Sequence, residues 1–303
     1  MTATDPARSL KDLHPQHAFF IGIDSDGCAF DTMGLKQREC FCPWMIAYFG
    51  LQQVAQAARE CHDVAALFSR TRGANRHKTA KRVIAELLPA HPRVRRSGFR
   101  VPEFPHYFQW VDDPNSLLSN AGLQQAIDNA VDPTARRELQ TPLQWSRRAD
   151  WAIGEMVKGM PPFPFVHESL EKIASKADVA VISSASVEAL GREWSEHGIA
   201  KYVTAIAGQE MGNKTEHLEY ATERKYERSH VLMMGDAPGD LDAARANGVL
   251  FYPILPGHEV ASWKRFHDEA FDKFINDEYA GDYQAERIAE FDRIFSESPM
   301  WQE

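Results

Sequence analysis

Short apolar runs and longer amphipathic stretches divide the chain into unlike segments. Residues 18–23 (AFFIGI) form an apolar run that stops at Asp24-Ser25-Asp26-Gly27. A run of that length, ended by Asp and Gly, predicts a buried strand feeding a loop. From 34 to 160 no strand pattern stands out. Apolar side chains at 51, 54, 58, 61, 64, 65 and 68 recur at helical spacing and predict a helix over 51–69. Helices are also expected over 75–88, 115–130 and 134–158. Four prolines between 89 and 105 predict an irregular loop there.

After Pro161-Pro162-Phe163-Pro164 the pattern changes to strand–helix alternation. Strands are expected at Val179–Ser183, Val203–Ala207, Val231–Gly235 and Val249–Tyr252, with helices near 165–177, 187–197, 214–226 and 239–247. Such alternation predicts an α/β fold, a three-layer, Rossmann-like parallel sheet. The strand at 18–23 belongs with the later ones. The chain therefore reads as an α/β core, 1–33 and 161–303, interrupted by a mainly helical domain over 34–160. The tail, 257–303, carries 12 Asp and Glu against 5 Lys and Arg. It is expected to be helical with a solvated face.

Composition narrows the function. The 303 residues suit about two domains. A net charge of −9 argues against general nucleic-acid binding, which leaves a basic footprint. No apolar run approaches the ~20 residues of a membrane span. Residues 1–17 lack the apolar centre of a signal peptide. Cys28, Cys40, Cys42 and Cys61 are too few for a disulfide framework and read as reduced thiols, placing the protein in the cytoplasm. Cys40 and Cys42 lack a second pair at zinc spacing.

Four short elements carry candidate chemistry. Asp24 and Asp26 follow the first strand, and ligands of a parallel sheet bind beyond the carboxyl ends of its strands. Gly27 lets the chain turn so that the two carboxylates converge. Their repulsion calls for a cation, and a hard ion such as Mg²⁺ takes oxygen ligands. Gly235-Asp236-Ala237-Pro238-Gly239-Asp240 repeats this arrangement after VLMM. Asp240 is a candidate cap for a helix over 241–247, whereas Asp236 stands too early for that. Ser183 and Ser184 end another strand, where hydroxyl and backbone N–H groups suit a phosphate. Lys214 begins a helix, an end that favours anions. A phosphate-binding role explains it; the bland alternative is a solvated surface lysine.

In chain order these elements read strand–DxDGxxxD (24–31), strand–Ser (183), Lys (214), strand–GDxxxD (235–240). In this order the sequence resembles the haloacid dehalogenase (HAD) superfamily of phosphatases and phosphomutases, over 18–33 and about 161–252. The resemblance implies that Asp24 is the nucleophile, forming an aspartyl phosphate, and that Asp26 is the general acid/base. It implies Mg²⁺ held by the Asp24 carboxylate, the Asp26 backbone carbonyl and Asp236, with Asp240 supporting the metal's waters or Lys214. It implies that Ser183, Ser184 and Lys214 bind the phosphoryl group. Members cleaving carbon–halogen or carbon–phosphorus bonds usually carry another residue where Asp26 stands, so Asp26 points to a phosphate ester. Ser25 departs from the more frequent apolar choices. The insertion at 34–160 occupies the position of the helical type 1 cap, is longer than the common version, and in the family closes over the site and selects the leaving group.

Within the insertion, 70–100 carries 10 Lys and Arg against one acid, Glu86. Arg72, Arg76 and His77 are candidates for holding a second anionic group of the substrate, arginine forks being suited to carboxylates and phosphates. The alternative is a salt-bridged or solvated face. Trp44, Phe104, Tyr107, Phe108, Trp110, Trp145 and Trp151 read mostly as core of the insertion, and Cys28 as a small apolar filler. The expected activity is a Mg²⁺-dependent phosphatase acting on a small phosphorylated metabolite, with a sugar or sugar-acid phosphate suggested by the basic loop. The alternatives are a phosphomutase of the β-phosphoglucomutase type and a silent binding member. Neither the substrate nor the oligomeric state is legible.

Overall fold

The computed structural model describes residues 5–295 and 301. Two compact units divide the chain: Met1–Met33 with Gly159–Phe295, and Gly34–Lys158 with Ser296–Glu303. Of the expected tail beyond 295, all but Trp301 lies outside the described residues. Trp301 packs on the helical unit, with its ring 4.8 Å from that of His91. The expected core range of 161–303 therefore runs too far at its C-terminal end.

The first unit is an α/β domain around a five-stranded, all-parallel sheet in the order β3-β2-β1-β4-β5. The strands are β1 Phe19–Ile23, β2 Ala177–Ile182, β3 Ala205–Ala207, β4 Val231–Gly235 and β5 Leu250–Pro253. Every residue of β2 and β4 is buried, as expected of strands covered on both faces. Ile23 sits in register with Val181 of β2 and Met234 of β4. That alignment brings the residues after β1, β2 and β4 to one edge of the sheet. The two faces bury separate cores. Ile21, Ile23, Val179, Val181, Leu232 and Met234 face one, and Phe20, Ala180, Ile182, Val231 and Met233 face the other.

The acidic tail departs from the solvated face expected of it. Its helical segments Glu259–Arg265, Phe266–Ala270, Phe271–Ile275 and Asp282–Ile294 carry Trp263, Phe266, Phe271, Phe274 and Phe291 into the two cores. Each is at most 1% exposed. Burying a side chain of this size is worth about 1.5–3 kcal/mol. The tail's charge lies on the opposite side of these helices, so composition masked an inward apolar stripe.

The second unit is helical, with no strand among its described residues. Phe49, Tyr107, Trp145 and the aliphatic residues around them form its core. Phe49 meets Trp145 edge-on at 5.6 Å, and the Trp145 indole N–H donates to the Phe41 carbonyl at 3.1 Å. The expected loop over 89–105 contains a helix, Pro92–Ser97, and Pro105 opens another, Pro105–Asp112. Proline fits a first helical turn, where its missing N–H costs nothing. Trp151 also departs from expectation: it is 52% exposed, and the Arg148 guanidinium lies between it and Trp44, 3.8 and 4.4 Å from the ring centres.

Candidate active site

The turn after β1 is built from backbone hydrogen bonds. The Asp24 N–H donates to the Met234 carbonyl at 3.0 Å, which ties the strand end to β4. The Ser25 carbonyl then accepts from Cys28, Ala29 and Phe30, at 3.3, 2.9 and 3.0 Å. Gly27 closes the turn at φ 80, a conformation that costs other residues strain. Asp26 stands at the bend, partly buried, and its Oδ1 accepts from the Thr32 hydroxyl. Sequence reasoning missed Thr32; its position six residues beyond Asp26 carries no local signal.

Asp24, Asp236 and Asp240 come together, each buried and each offering an oxygen within 4.8 Å of the others. Asp24 and Asp236 follow β1 and β4 directly. Asp240 reaches them from the first turn of the helix Pro238–Asn247. It differs from the expected cap in one respect: it is the third helical residue, and its Oδ2 accepts from the Ala237 N–H at 3.0 Å. Gly235 makes this approach possible, because a Cβ there would lie 2.3 Å from the Asp240 Cγ.

Lys214 opens the helix Lys214–Thr222, where Asn213 and Glu216 form a reciprocal capping box. Those side chains satisfy the helix end and free Lys214 to turn toward the acids. Its ammonium lies 2.8 Å from Asp24 Oδ2 and 2.6 Å from Asp240 Oδ1. Burial works against that charge, but Asp24 and Asp240 outweigh it and hold the Lys214 pKa above its ordinary value. The solvated alternative for this lysine is thereby replaced by a partly buried ion pair. Burial pushes Asp24 up to about 8 despite the pull of Lys214, with Asp240 and Asp236 adding to the rise.

Three buried carboxyl groups face one ammonium, so ionising all of them leaves an excess of buried negative charge. Unbalanced buried charge is costly, and oxygen donors alone suit a hard divalent cation. The residues present therefore fit Mg²⁺. Ser183 follows β2, is buried, and accepts from the Ala185 N–H through its Oγ at 3.3 Å. Ser184 is exposed. Both lie at the sheet edge that carries Asp24.

The candidates in the helical unit fare unevenly. His77 is a core residue and not an anion ligand on a reachable surface. It is fully buried, its Nδ1 pairs with the Tyr107 hydroxyl at 2.9 Å, and its ring sits among Tyr107, Trp110 and Trp145. Burial, helped by Arg76, pushes its pKa down to about 3, so it is neutral near pH 7. Arg76 pairs with Asp150, donates to Ser146 Oγ at 3.1 Å and covers the Phe41 ring. Arg72 is buried and donates to the Leu67 carbonyl at 3.1 Å. The four cysteines are free and buried, and among the described residues the three aspartates form the only metal-type cluster.

Residues 118–254 match the family model of haloacid dehalogenase-like hydrolases. Among solved structures the chain is similar to a putative phosphoglycolate phosphatase from Lactobacillus plantarum, at 11% identity and a TM-score of 0.43, over 82% of this chain and 91% of that one. It is also similar to a putative β-phosphoglucomutase from Thermotoga maritima, at 14% identity and a TM-score of 0.38, over 82% and 99%. No curated protein matches it. The matched segment spans the strands that carry Ser183 and Asp236. Among the described residues no helix is long and apolar enough to cross a membrane.

Proposed function

We propose that this haloacid dehalogenase-like protein hydrolyses a small phosphoric monoester through an aspartyl phosphate on Asp24. The observation that carries the reading is the Lys214 ammonium held between Asp24 and Asp240 beside Asp236. An anionic nucleophile approaching an anionic phosphate meets repulsion, which a buried cation at the nucleophile offsets. Mg²⁺, held by Asp24, Asp236 and the Asp26 carbonyl, would neutralise further charge on the transferring oxygens.

In the first step an Asp24 Oδ forms a bond to phosphorus as the ester P–O bond breaks. The Asp26 carboxyl gives its proton to the departing oxygen, which leaves as an alcohol. In the second step Asp26, now a carboxylate, takes a proton from water as that water attacks phosphorus. Inorganic phosphate leaves and Asp24 is restored. Dividing the transfer in two lowers each barrier. The Thr32 hydroxyl on Asp26 Oδ1 fixes the acid's orientation. Ser183 and the backbone beyond it bind the phosphoryl oxygens.

The test is phosphate release from a panel of phosphorylated metabolites, with and without Mg²⁺, beside Asp24→Asn. Release that requires both Mg²⁺ and Asp24 supports the reading. An isomeric sugar phosphate in place of free phosphate would replace it with a mutase.

A further inference from the structure

Two indole N–H groups, remote in sequence, grip the turn that carries Asp26. Trp194 Nε1 donates to Ser25 Oγ at 3.1 Å, and Trp263 Nε1 donates to the Cys28 carbonyl at 2.7 Å. All four residues are fully buried. The contacts fall on either side of Asp26-Gly27, one before the bend and one after it. The Ser25 carbonyl is already occupied by three amides of the turn, so the indole of Trp194 takes the side-chain oxygen. This gives the serine at 25 a function that an apolar residue could not supply. The Cys28 carbonyl likewise accepts from a rigid ring: Trp263 is held edge-on by Phe266 at 5.9 Å, and Trp194 by Phe30 at 5.9 Å. The Phe163 N–H donates to the Ala29 carbonyl at 2.9 Å, closing the far side.

We propose that Trp194 and Trp263 are positioning residues for proton transfer by Asp26. The inference rests on the phosphoryl-transfer reading and adds to it. General acid catalysis requires the acid within hydrogen-bond reach of the leaving oxygen. Gly27 gives the turn freedom that must be removed if Asp26 is to hold one place, and the two indoles remove it from outside. Trp194 lies on the helix Val187–Glu196, which begins beyond the Ser183 loop. Trp263 lies on the tail helix Glu259–Arg265. The tail thus takes part in holding the site as well as in covering the sheet.

The test uses Trp263→Phe and Ser25→Ala, which keep most of the packing and remove one donor or acceptor each. Hydrolysis is measured with Mg²⁺ on p-nitrophenyl phosphate, whose leaving group needs little protonation, and on an alkyl phosphate, whose leaving group needs it. A misplaced acid lowers kcat for the alkyl ester about tenfold or more, spares the aryl ester, and leaves KM unchanged. An equal loss on both esters would reduce the tryptophans to packing and overturn the inference, as would no loss on either. Hydrogen exchange of the amides of Cys28, Ala29 and Phe30 gives a reading independent of turnover. Faster exchange in Trp263→Phe is expected, and unchanged exchange overturns the brace. If the wild-type protein cleaves neither ester while the brace is seen by exchange, the phosphatase reading has failed and the positioning of the turn stands.

Discussion

Lys214 and Asp240 meet at 2.6 Å across two helices, and the second oxygen of that aspartate holds the Ala237 N–H. One carboxylate therefore fixes both the lysine and the start of its own helix. Replacing Lys214 by Ala leaves Asp24, Asp236 and Asp240 buried without their cation. We expect phosphate release to fall by two to three orders of magnitude, the usual loss when a preorganised charge is removed. Removing one partner of a buried pair also costs about 3–5 kcal/mol. Steady-state kinetics and urea melts of Lys214→Ala check both.

Gly235→Ala is expected to behave like loss of Asp240. A Cβ at 235 would lie 2.3 Å from that side chain. The carboxylate must move, and its bond to Lys214 breaks. Activity should drop at least a hundredfold while the far-UV circular dichroism of the sheet persists.

Mg²⁺ should stabilise the protein. Binding to the folded state alone adds RT ln(1 + [L]/Kd), about 2.7 kcal/mol at a hundred times Kd. Thermal melts with and without Mg²⁺ should separate for the wild type and coincide for Asp236→Asn. That variant carries one fewer buried negative charge, so its metal-free form should melt no lower than the wild type's.

The helical unit should weaken in acid. Burial pushes His62 down to about 4 and His77 down to about 3. The unfolded chain titrates near 6.5, so below that pH it binds protons that the folded unit refuses. Stability is complete above about pH 6.5 and declines as pH falls toward 4, by up to about 1.4 kcal/mol per pH unit for each histidine. Urea melts followed by tryptophan fluorescence at pH 7.5 and 5 measure the slope, and His62→Leu should flatten it.

Asp178 anchors the N-terminal segment. Its Oδ2 accepts from the Gln16 and His17 amides at 2.9 and 3.0 Å and from the Tyr226 hydroxyl at 2.8 Å. Asp178→Ala leaves these donors without it and should cost about 2–4 kcal/mol in urea melts.

The sheet was legible because β1, β2, β4 and β5 are short apolar runs with polar or glycine stops. The acids were legible because each follows a strand or opens a helix. Trp194 and Trp263 were not: 169 and 235 residues separate them from the atoms they bind, and no local pattern reports such distances. His77 was misjudged because basic neighbours suggested a surface, while its own position faces inward. The tail's acidic composition hides an apolar stripe at 263, 266, 270, 271 and 274, because charged residues fill the positions between.

Strand β1 lies at the centre of the sheet, yet it is the first of the five to be synthesised. Its partners arrive much later: Ile21 pairs with Val179 and with Leu232. On a ribosome the segment bearing Asp24 must wait while the helical unit between is made. That unit is built mainly from the continuous stretch Gly34–Lys158. It can close around its own core first, while the sheet forms by long-range pairing, an intrinsically slow step. The nucleophile's strand is thus born early and completed late, and folding of the α/β unit is expected to be the slow phase seen by stopped-flow fluorescence.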